Sequence, residues 1–246
     1  MSPKLSIVMP CYVTSEELAQ LTRGAVHSFN EADIDSYELI LVDDASTWKV
    51  GELREHADTY VRHKKNKGFI KSVNDGLQLA RGEFVLVTNN DVRAAPNFFK
   101  VAKEILESDD DIVSVHPRMT YYNETMEYGD KVFAEGRERW CQSSFFVIRN
   151  NLYLFPEEYA GTGGAYEDWA YWSRLRRQGL KTAYTTKTCF QHRDSSTTQL
   201  VGENSKQHKS NLDLFIKEFG KSPEDYYMSL YPEQMVMHWR REFTKL

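Results

Sequence analysis

Short apolar runs alternate with helix-like segments through the first half of the chain. The apolar runs lie at residues 5–9, 37–42, 60–63, 84–88 and 112–115. Helical spacing covers about residues 15–32, 50–57, 69–80 and 96–106. Short, continuous apolar strands between helices are typical of a parallel sheet that is buried on both faces. The pattern therefore predicts an α/β fold with a Rossmann-like, mostly parallel central sheet flanked by helices.

The second half of the chain has a different pattern. Residues 121–139 are polar and aromatic with weak periodicity, and strands are predicted at 144–148 and 182–189. A glycine run at 161–164 leads into a helix that ends near Arg177, and two further helices cover about 204–219 and 223–243. We predict one α/β domain over residues 1–202, with halves 1–118 and 119–202, and a C-terminal helical extension over 203–246.

Composition and charge narrow the class of protein. The chain has 31 Lys and Arg against 36 Asp and Glu, a net charge of −5, which disfavours general nucleic-acid binding. The three cysteines are far apart and form no C-x-x-C pair, so a disulfide framework or a structural zinc site is not expected. No signal-peptide pattern opens the chain, and no apolar stretch approaches the roughly 20 residues that span a bilayer. These features predict a soluble, cytoplasmic protein.

Polar residues follow three of the predicted strands, at positions 10–12, 43–44 and 89–91. The carboxyl ends of parallel strands meet at one edge of a sheet, and ligands bind there. The segments at 43–44 and 89–91 are also ordinary turn sequences, so neither identifies a site by itself. The chain has neither G-x-G-x-x-G nor a P-loop, so those two phosphate-binding motifs do not account for this edge.

Four residues carry candidate chemistry, and each has a plainer alternative. Asp91 alone cannot hold a divalent metal tightly, but it can do so with the oxygens of a diphosphate and a nearby imidazole such as His192. Alone, Asp91 fits an Asx turn and His192 an ordinary surface or core histidine. Glu167 and Asp168 stand in the first turn of a predicted helix, where a carboxylate can cap the helix, act as a general base, or do both.

Taken together, seven segments resemble the family-two glycosyltransferases of the GT-A fold, over about residues 4–200. In chain order they are L-S-I-V-M-P-C-Y, L-I-L-V-D-D-A-S, N-K-G-F-I-K-S-V-N-D-G-L-Q-L-A-R-G-E-F, V-T-N-N-D-V, S-F-F-V-I-R, Y-E-D-W-A-Y-W-S-R-L-R-R-Q-G and Q-H-R-D-S-S-T. Each segment alone is weakly specific. Their order and spacing carry the resemblance.

The resemblance implies a role for each matching position. Asp43 and Asp44 would contact the base and ribose of a donor nucleotide, Asp91 and His192 would bind Mn²⁺ or Mg²⁺, and Asp168 would be the catalytic base. The other implied donor-side residues are Pro10, Tyr12, Lys71, Asn74, Asn90 and Arg193. The implied acceptor-side residues are Trp140, Glu167 and Trp169. Residues 1–118 would then bind the nucleotide sugar, and the loop from Arg193 to about residue 202 would close over the diphosphate.

The activity that the resemblance implies is inverting transfer of a sugar from a UDP- or dTDP-linked donor to an acceptor hydroxyl. The acceptor would be a glycan, a lipid-linked molecule or a protein, and the pathway would be glycan or polysaccharide biosynthesis. Two departures stand out. Amides precede Asp91 where the D-x-D motif has carboxylates, and Val73 precedes Asn74 where many members have arginine. The motif pattern resembles the rhamnosyltransferase-like branch of the family.

Two other classes of function remain open at this point. One is a non-catalytic protein of the same fold that binds a sugar nucleotide or a glycan. The other is a nucleotidyltransferase, which would need a glycine-rich phosphate loop where this chain reads P-C-Y-V-T. Residues 235–246 mix apolar and basic side chains, which favours a helix packed on the domain. Peripheral membrane contact is the alternative for that segment.

Overall fold

The computed structural model describes residues 2–48, 50–133, 143–150, 153–159, 166–193 and 205–230. The strands over these residues are β1 (Leu5–Cys11), β2 (Tyr37–Asp43), β3 (Thr59–Arg62), β4 (Phe84–Thr88), β5 (Val92–Ala94), β6 (Ile112–Tyr121), β7 (Val132–Phe133), β8 (Phe145–Arg149) and β9 (Lys181–His192). The helices are α1 (Glu16–Asn30), α2 (Val50–Glu55), α3 (Phe69–Leu77), α4 (Phe98–Ser108), α5 (Glu167–Arg177), α6 (Ser205–Phe219) and α7 (Pro223–Leu230). A 3-10 turn spans Glu157–Tyr159.

All these strands form one sheet in the order β3-β2-β1-β4-β8-β6-β9-β5, and β7 pairs with β9. β3, β2, β1 and β4 are parallel, as the alternation of strands and helices predicts. β8 lies antiparallel between β4 and β6, so the sheet is mixed beyond β4. Most of the described strands still run in one direction, because β6 and β9 are parallel to each other and point the same way as β4. The predicted α/β fold class is therefore confirmed.

The sheet is buried on both faces by two apolar clusters. Leu5 and Ile7 of β1 point toward the cluster built with α1, α2 and α4, whereas Val8 points toward the cluster built with α3, α5 and α6. This division follows from the alternation of side chains along a strand. Because β1, β2, β4 and β8 each place side chains in both clusters, their apolar runs have no polar alternation, which makes them recognisable in the sequence.

Helix α6 packs on the α/β domain instead of standing apart from it. Phe215 and Phe219 belong to the same apolar cluster as α5. Arg174 of α5 donates to Glu218 of α6 over 2.7 and 2.8 Å. The described part of the predicted C-terminal extension therefore shares its core with the helix that carries Asp168.

Strand β1 is longer than the sequence predicts. A stop was expected at Pro10, but β1 continues through Pro10 to Cys11, in register with Val42 and Asp43 of β2. The pairing of β1 with β4 ends earlier, at Val8. Pro10 therefore has a sheet neighbour on one side only, and its missing N–H is tolerated there as on an edge strand.

The polar segments after β4 and after residue 189 also differ from expectation. The sequence predicts no strand between residues 89 and 96 and ends the predicted strand 182–189 before Gln191, but Val92–Ala94 forms β5 and pairs antiparallel with the end of β9. β9 extends to His192 because β5 on one side and β6 on the other supply backbone partners. Backbone hydrogen bonding, which does not depend on side-chain polarity, decides this element.

Several predicted features lie outside the described residues. These are the glycine run at 161–164, Trp140, the loop beyond Arg193 and the end of the last predicted helix, including residues 235–246. The proposed boundary between residues 202 and 203 also falls there. Among the described helices, none is long and apolar enough to cross a membrane.

Gly76 allows α3 to approach the sheet closely. A Cβ at this position would clash with Val8 Cγ1 of β1 and would lie 3.2 Å from Val42 Cγ2 of β2. We predict that Gly76→Ala lowers the free energy of unfolding by about 1–3 kcal/mol through overpacking. Chemical denaturation measures this change. Gly51→Ala in α2 is the matched control, because no atom lies within 4 Å of its added Cβ.

The control should lose no stability, since alanine is the better helix former by about 1 kcal/mol at an unhindered position. An equal change in the free energy of unfolding in the two variants would show that the close approach of α3 to the sheet does not constrain residue 76.

Candidate active site

The carboxyl ends of β1, β2 and β4 lie side by side at one edge of the sheet, because these strands are parallel neighbours. Tyr12 follows β1, Asp44 follows β2, and Asn89 follows β4. The predicted gathering of three polar segments at one edge is therefore present in the structure.

Asp43, the last residue of β2, is fully buried and already has three hydrogen-bond donors. Its Oδ1 accepts from the Ser46 amide at 2.7 Å, and its Oδ2 accepts from the Tyr60 hydroxyl at 2.5 Å and from Arg62 Nη1. A carboxylate offers about four acceptor positions. Asp43 therefore lies buried at this edge of the sheet, and its carboxylate has about one acceptor position left for a ligand.

Asp44 is also held by three donors. Its Oδ1 accepts from the Lys67 amide at 2.8 Å and faces His63 Nδ1 at 2.7 Å, and its Oδ2 accepts from the Gly68 amide at 2.8 Å. The other ring nitrogen of His63 lies 2.9 Å from Asp75 Oδ2. The turn before α3, at residues 66–68, therefore wraps around the Asp44 carboxylate.

Asp91 and His192 come together although they are far apart in sequence. His192 Nε2 lies 3.1 Å from Asp91 Oδ1, and both side chains are buried. The cause is the antiparallel pairing of β5 with β9, which sets Val92 opposite His192. The Arg193 amide donates to the Asp91 carbonyl at 3.1 Å and continues this pairing.

The donor set around Asp91 fits a hard or intermediate divalent cation. It combines one carboxylate and one imidazole nitrogen, which suit Mn²⁺. The Asn89 side-chain amide nitrogen lies 3.4 Å from His192 Nε2, so an amide flip would turn an oxygen toward the same place as a third ligand group. No cluster of three or more His, Cys, Asp or Glu side chains that could hold a metal occurs in the described ranges. The residues therefore fit an ion that completes its shell with oxygens from a ligand.

The start of β8 connects Asp168 to this edge. The Ser143 hydroxyl hydrogen-bonds the Asp168 carboxylate. The backbone carbonyl of the next residue, Ser144, accepts from the backbone N–H of Asn89 at 2.8 Å. Because β8 runs antiparallel to β4, its first residues stand at the carboxyl end of β4. Asp168 is thus linked through Ser143 and Ser144 to the segment that holds Asp91.

Glu167 and Asp168 open α5 and have raised pKa values. Burial, and then the negative charge of Asp168, raises the pKa of Glu167 to about 8, and its buried Oε2 has no hydrogen-bond partner among the described residues. Burial also raises the pKa of Asp168 to about 6, while hydrogen bonds from the Trp169 amide and Ser143 lower it. At neutral pH Glu167 is therefore the carboxyl group that keeps a proton, and Asp168 is the one that can accept one.

Lys71 and Asn74 of α3 have partners within the protein. Lys71 Nζ lies 2.9 Å from Glu157 Oε1 and 3.4 Å from Asp75 Oδ1. The buried Asn74 amide donates to the Phe155 carbonyl at 2.9 Å and accepts from the Phe155 amide at 2.8 Å. Asn74 therefore joins α3 to the segment after β8. Donor binding by these two residues stays a prediction.

Asn90 and Arg193 contact helix α1. The Asn90 amide donates to Thr22 Oγ1 at 2.8 Å, and the side chain is buried. Arg193 Nη2 lies 2.5 Å from Glu17 Oε1, and this pair is exposed. Both residues flank Asp91, but their side chains are directed to α1 in this structure. Their predicted contacts with ribose and diphosphate remain untested.

Of the remaining predicted site residues, Pro10, Tyr12 and Trp169 differ in burial and in their position relative to the carboxyl edge of the sheet. Pro10 is buried within β1, and Tyr12 is half-buried just beyond its end. Trp169 is half-buried and packs against the cluster under α5. Trp140 lies outside the described residues. Tyr12 is thus the predicted aromatic that is placed at the carboxyl edge.

Four contacts to the candidate carboxylates were missed in the sequence: those from Tyr60, Arg62, His63 and Ser143. The first three belong to or directly follow β3, which lies next to β2. The rule that polar groups gather at the carboxyl ends of parallel strands applied to this strand as well, so His63 could have been found. Ser143 could not, because its position depends on the antiparallel insertion of β8.

Comparison with known proteins identifies the family. The family model described as "Glycosyl transferase family 2" matches residues 6–170, which is more than half of the chain. This chain belongs to that family. The resemblance that was read from the sequence motifs is therefore confirmed, whereas the rhamnosyltransferase-like branch stays a prediction.

Two relatives with curated names match part of the chain. One is "Glycosyltransferase GlyG" of Streptococcus pneumoniae, 29% identical over 148 residues, which are 57% of this chain and 46% of that protein. The other is "Putative colanic acid biosynthesis glycosyl transferase WcaA" of Escherichia coli, 31% identical over 106 residues, which are 41% of this chain and 37% of that protein. The matches thus span less than half the length of either relative.

Solved structures agree with the GT-A fold. S. aureus TarS 1-349 in complex with UDP-GlcNAc has a TM-score of 0.68 at 15% identity, covering 89% of this chain and 67% of that chain. Mannosyltransferase PcManGT from Pyrobaculum calidifontis, in complex with GDP-Man and Mn²⁺, has a TM-score of 0.58 at 19% identity, covering 77% and 57%. At these identities the likeness shows the fold alone.

Two non-glycine residues with positive φ flank the candidate carboxylates. Ala45 (φ 69°) follows Asp44, and Tyr166 (φ 68°) precedes Glu167. The left-handed region costs an L-residue about 1–2 kcal/mol, and such strain concentrates at functional sites. The two turns that present the carboxylates are therefore held in unfavourable backbone conformations.

We predict that Ala45→Gly raises the free energy of unfolding by up to about 1 kcal/mol, since glycine removes the left-handed strain at a smaller entropic cost. Ala57→Gly is the control, because Ala57 is also half-buried but has no positive φ. That variant should lose about 0.5–1 kcal/mol. Chemical denaturation of both variants checks this, and an equal loss in the two would rule out strain at Ala45.

Proposed function

We propose that this protein transfers a sugar from a nucleoside-diphosphate sugar to an acceptor hydroxyl, with Asp168 as the general base. The observation that carries the proposal is the link from Asp168 through Ser143 and Ser144 to Asn89, beside Asp91 and His192. One site then contains a carboxylate with a raised pKa and a donor set for a divalent cation. Family membership and the names of the relatives support a glycosyl transfer in polysaccharide biosynthesis.

Asp168 would accept the proton of the acceptor hydroxyl as that oxygen attacks the anomeric carbon. The bond between the anomeric carbon and the diphosphate breaks at the same time, and its electron pair leaves with the diphosphate. An ordinary aspartate is a weak base in water. Burial strengthens Asp168 as a base by raising its pKa, while its hydrogen bonds to Ser143 and Trp169 hold the carboxylate in place.

Asp91 and His192 would hold Mn²⁺ or Mg²⁺ together with the diphosphate of the donor. A bound cation would neutralise negative charge on the leaving diphosphate. The titles of the compared structures give precedents, because PcManGT holds GDP-Man and Mn²⁺ and TarS holds UDP-GlcNAc. In this chain, Asp44 and Asp43 would supply acceptor positions for the nucleoside at the neighbouring strand end.

The finer features of the reaction are also proposals. Attack opposite the leaving group gives inversion at the anomeric carbon, and a single general base such as Asp168 is sufficient for that route. The donor is a UDP- or dTDP-linked hexose, and the acceptor is a glycan, a lipid-linked molecule or a protein. Glu167, which keeps its proton at neutral pH, would stand on the acceptor side.

The direct test is Asp168→Asn in an assay of donor hydrolysis with Mn²⁺ and a panel of UDP- and dTDP-hexoses, where water replaces the unidentified acceptor. We expect kcat to fall by about 10²–10⁴ while binding of UDP is kept, because loss of a general base removes a transition-state contribution only. Asp110→Asn is the control, since that carboxylate is fully exposed and should leave kcat unchanged. No turnover by the wild type with any donor would favour the non-catalytic alternative.

The wild-type pH profile gives a second readout of the same residue. The base is active when ionised, so kcat/KM should rise with pH through about 6, the raised pKa of Asp168, and not near 4 as for an exposed aspartate. The raised folded-state pKa also means that Asp168 lowers stability as pH rises through that value. Asp168→Asn should therefore be no less stable than the wild type at neutral pH, so its lost activity would not reflect unfolding.

Metal binding should depend on the nucleotide, because Asp91 and His192 supply only part of a coordination shell. Calorimetry should show weak binding of Mn²⁺ to the free protein and tighter binding when UDP is present. Asp91→Asn and His192→Ala should abolish this enhancement. His27→Ala is the control, because His27 forms a similar pair with Glu31 on the exposed surface. Tight binding of Mn²⁺ by the free protein would contradict the assignment.

A further inference from the structure

His63 lies between two carboxylates at the nucleotide side of the candidate site. It directly follows β3 and is only 5% exposed. Its Nδ1 is 2.7 Å from Asp44 Oδ1, and its Nε2 is 2.9 Å from Asp75 Oδ2. Its amide donates to the Asp43 carbonyl at 2.9 Å, which fixes the backbone from which the ring projects. The imidazole therefore bridges the end of β2 and helix α3.

The hydrogen-bonding capacity of the ring defines what this bridge does. An imidazole nitrogen that carries a proton donates to the carboxylate oxygen it faces, and a carboxylate offers only acceptor positions. Lys67 and Lys71 also face Asp75, with Nζ to carboxylate distances of 3.6 and 3.4 Å. Burial raises the pKa of Asp75, but the bond from His63 and the two lysines outweigh it and lower the pKa overall. The Asp75 end of the bridge is thus held firmly as a carboxylate.

At its other end, the bridge completes the set of donors around Asp44. The amides of Lys67 and Gly68 occupy one position on each oxygen, and His63 occupies the second position on Oδ1. One acceptor position remains, on Oδ2. Without the donor from His63, Oδ1 would also have a free position, and the carboxylate could rotate about its terminal torsion.

We propose that His63 is a positioning residue, which fixes the Asp44 carboxylate so that its one remaining acceptor position takes an N–H or O–H of the donor nucleoside. The inference rests on the proposed function, since it presumes that Asp44 binds the nucleotide. It adds that recognition at Asp44 depends on a second layer, His63 and Asp75, which touches no substrate. A fixed acceptor lowers the entropic cost of binding.

Two substitutions separate the two ends of the bridge. An asparagine amide nitrogen occupies nearly the place of His Nδ1, so His63→Asn keeps a donor for Asp44 and loses the one for Asp75. A glutamine amide nitrogen reaches the place of His Nε2, so His63→Gln keeps the contact with Asp75 and loses the donor for Asp44. Both variants remove the same ring from the same buried position, so each is the stability control for the other.

The experiment measures binding of UDP by calorimetry and donor hydrolysis with Mn²⁺ in the wild type and both variants. We expect His63→Gln to weaken UDP binding and to raise the KM for the sugar nucleotide by roughly tenfold. That factor is about the size of the lost hydrogen bond between residue 63 and the Asp44 carboxylate. His63→Asn should stay within about twofold of the wild type. In both variants kcat at saturating donor should be unchanged, because Asp168 is not involved. Thermal unfolding should show similar losses of stability.

Equal weakening in the two variants, or a fall in kcat without a change in KM, would overturn the positioning role and leave His63 as a packing residue. Unchanged binding in His63→Gln would overturn it as well. If the wild type binds no nucleotide in the presence of Mn²⁺, the proposed function itself fails, which is a result distinct from either of these.

Discussion

The antiparallel pairing of β4 with β8 is the constraint on which the rest of the candidate site depends. The parallel strands bring Tyr12, Asp43 and Asp44 to one edge but cannot by themselves bring Asp168 there. Because β8 runs against β4, it begins where β4 ends, and Ser144 accepts from the Asn89 amide. Ser143 then contacts Asp168. The candidate base, the candidate metal ligands and the buried carboxylates Asp43 and Asp44 therefore meet through backbone pairing.

The four candidate carboxylates form two pairs, Asp43 with Asp44 and Glu167 with Asp168, and raised pKa values occur in the second pair. Asp43 and Asp44 are buried, and each has three hydrogen-bond partners, which compensate for the water that a buried carboxylate loses. Glu167 accepts one backbone hydrogen bond and Asp168 accepts three hydrogen bonds, from the Trp169 amide, its own amide and Ser143, but burial still raises the pKa of both. The first pair is suited to recognition by fixed acceptors, whereas the second is suited to moving a proton. The strained residues Ala45 and Tyr166 stand beside the two pairs.

The sequence predicts the strands and helices of residues 1–118 with small errors at their ends, because continuous apolar runs and helical spacing are local signals. It failed where pairing across the sheet overrode local character. Pro10 did not end β1, since β4 had already separated from β1, and His192 lies in a strand and not in a loop. Asp91 and His192 lie together in the structure, and their joint role as metal ligands is implied by the family resemblance and not by any local pattern.

By itself, then, the sequence determined the fold class, the strand ends that carry polar groups, and the family, because periodicity, turn chemistry and motif order are written along the chain. The tertiary structure alone decided which groups face one another. It paired β5 with β9 and set His192 beside Asp91, it inserted β8 and carried Ser143 to Asp168, and it placed His63 between Asp44 and Asp75. The reason is that hydrogen bonds between distant strands depend on which backbones become neighbours, and no residue specifies its own neighbour.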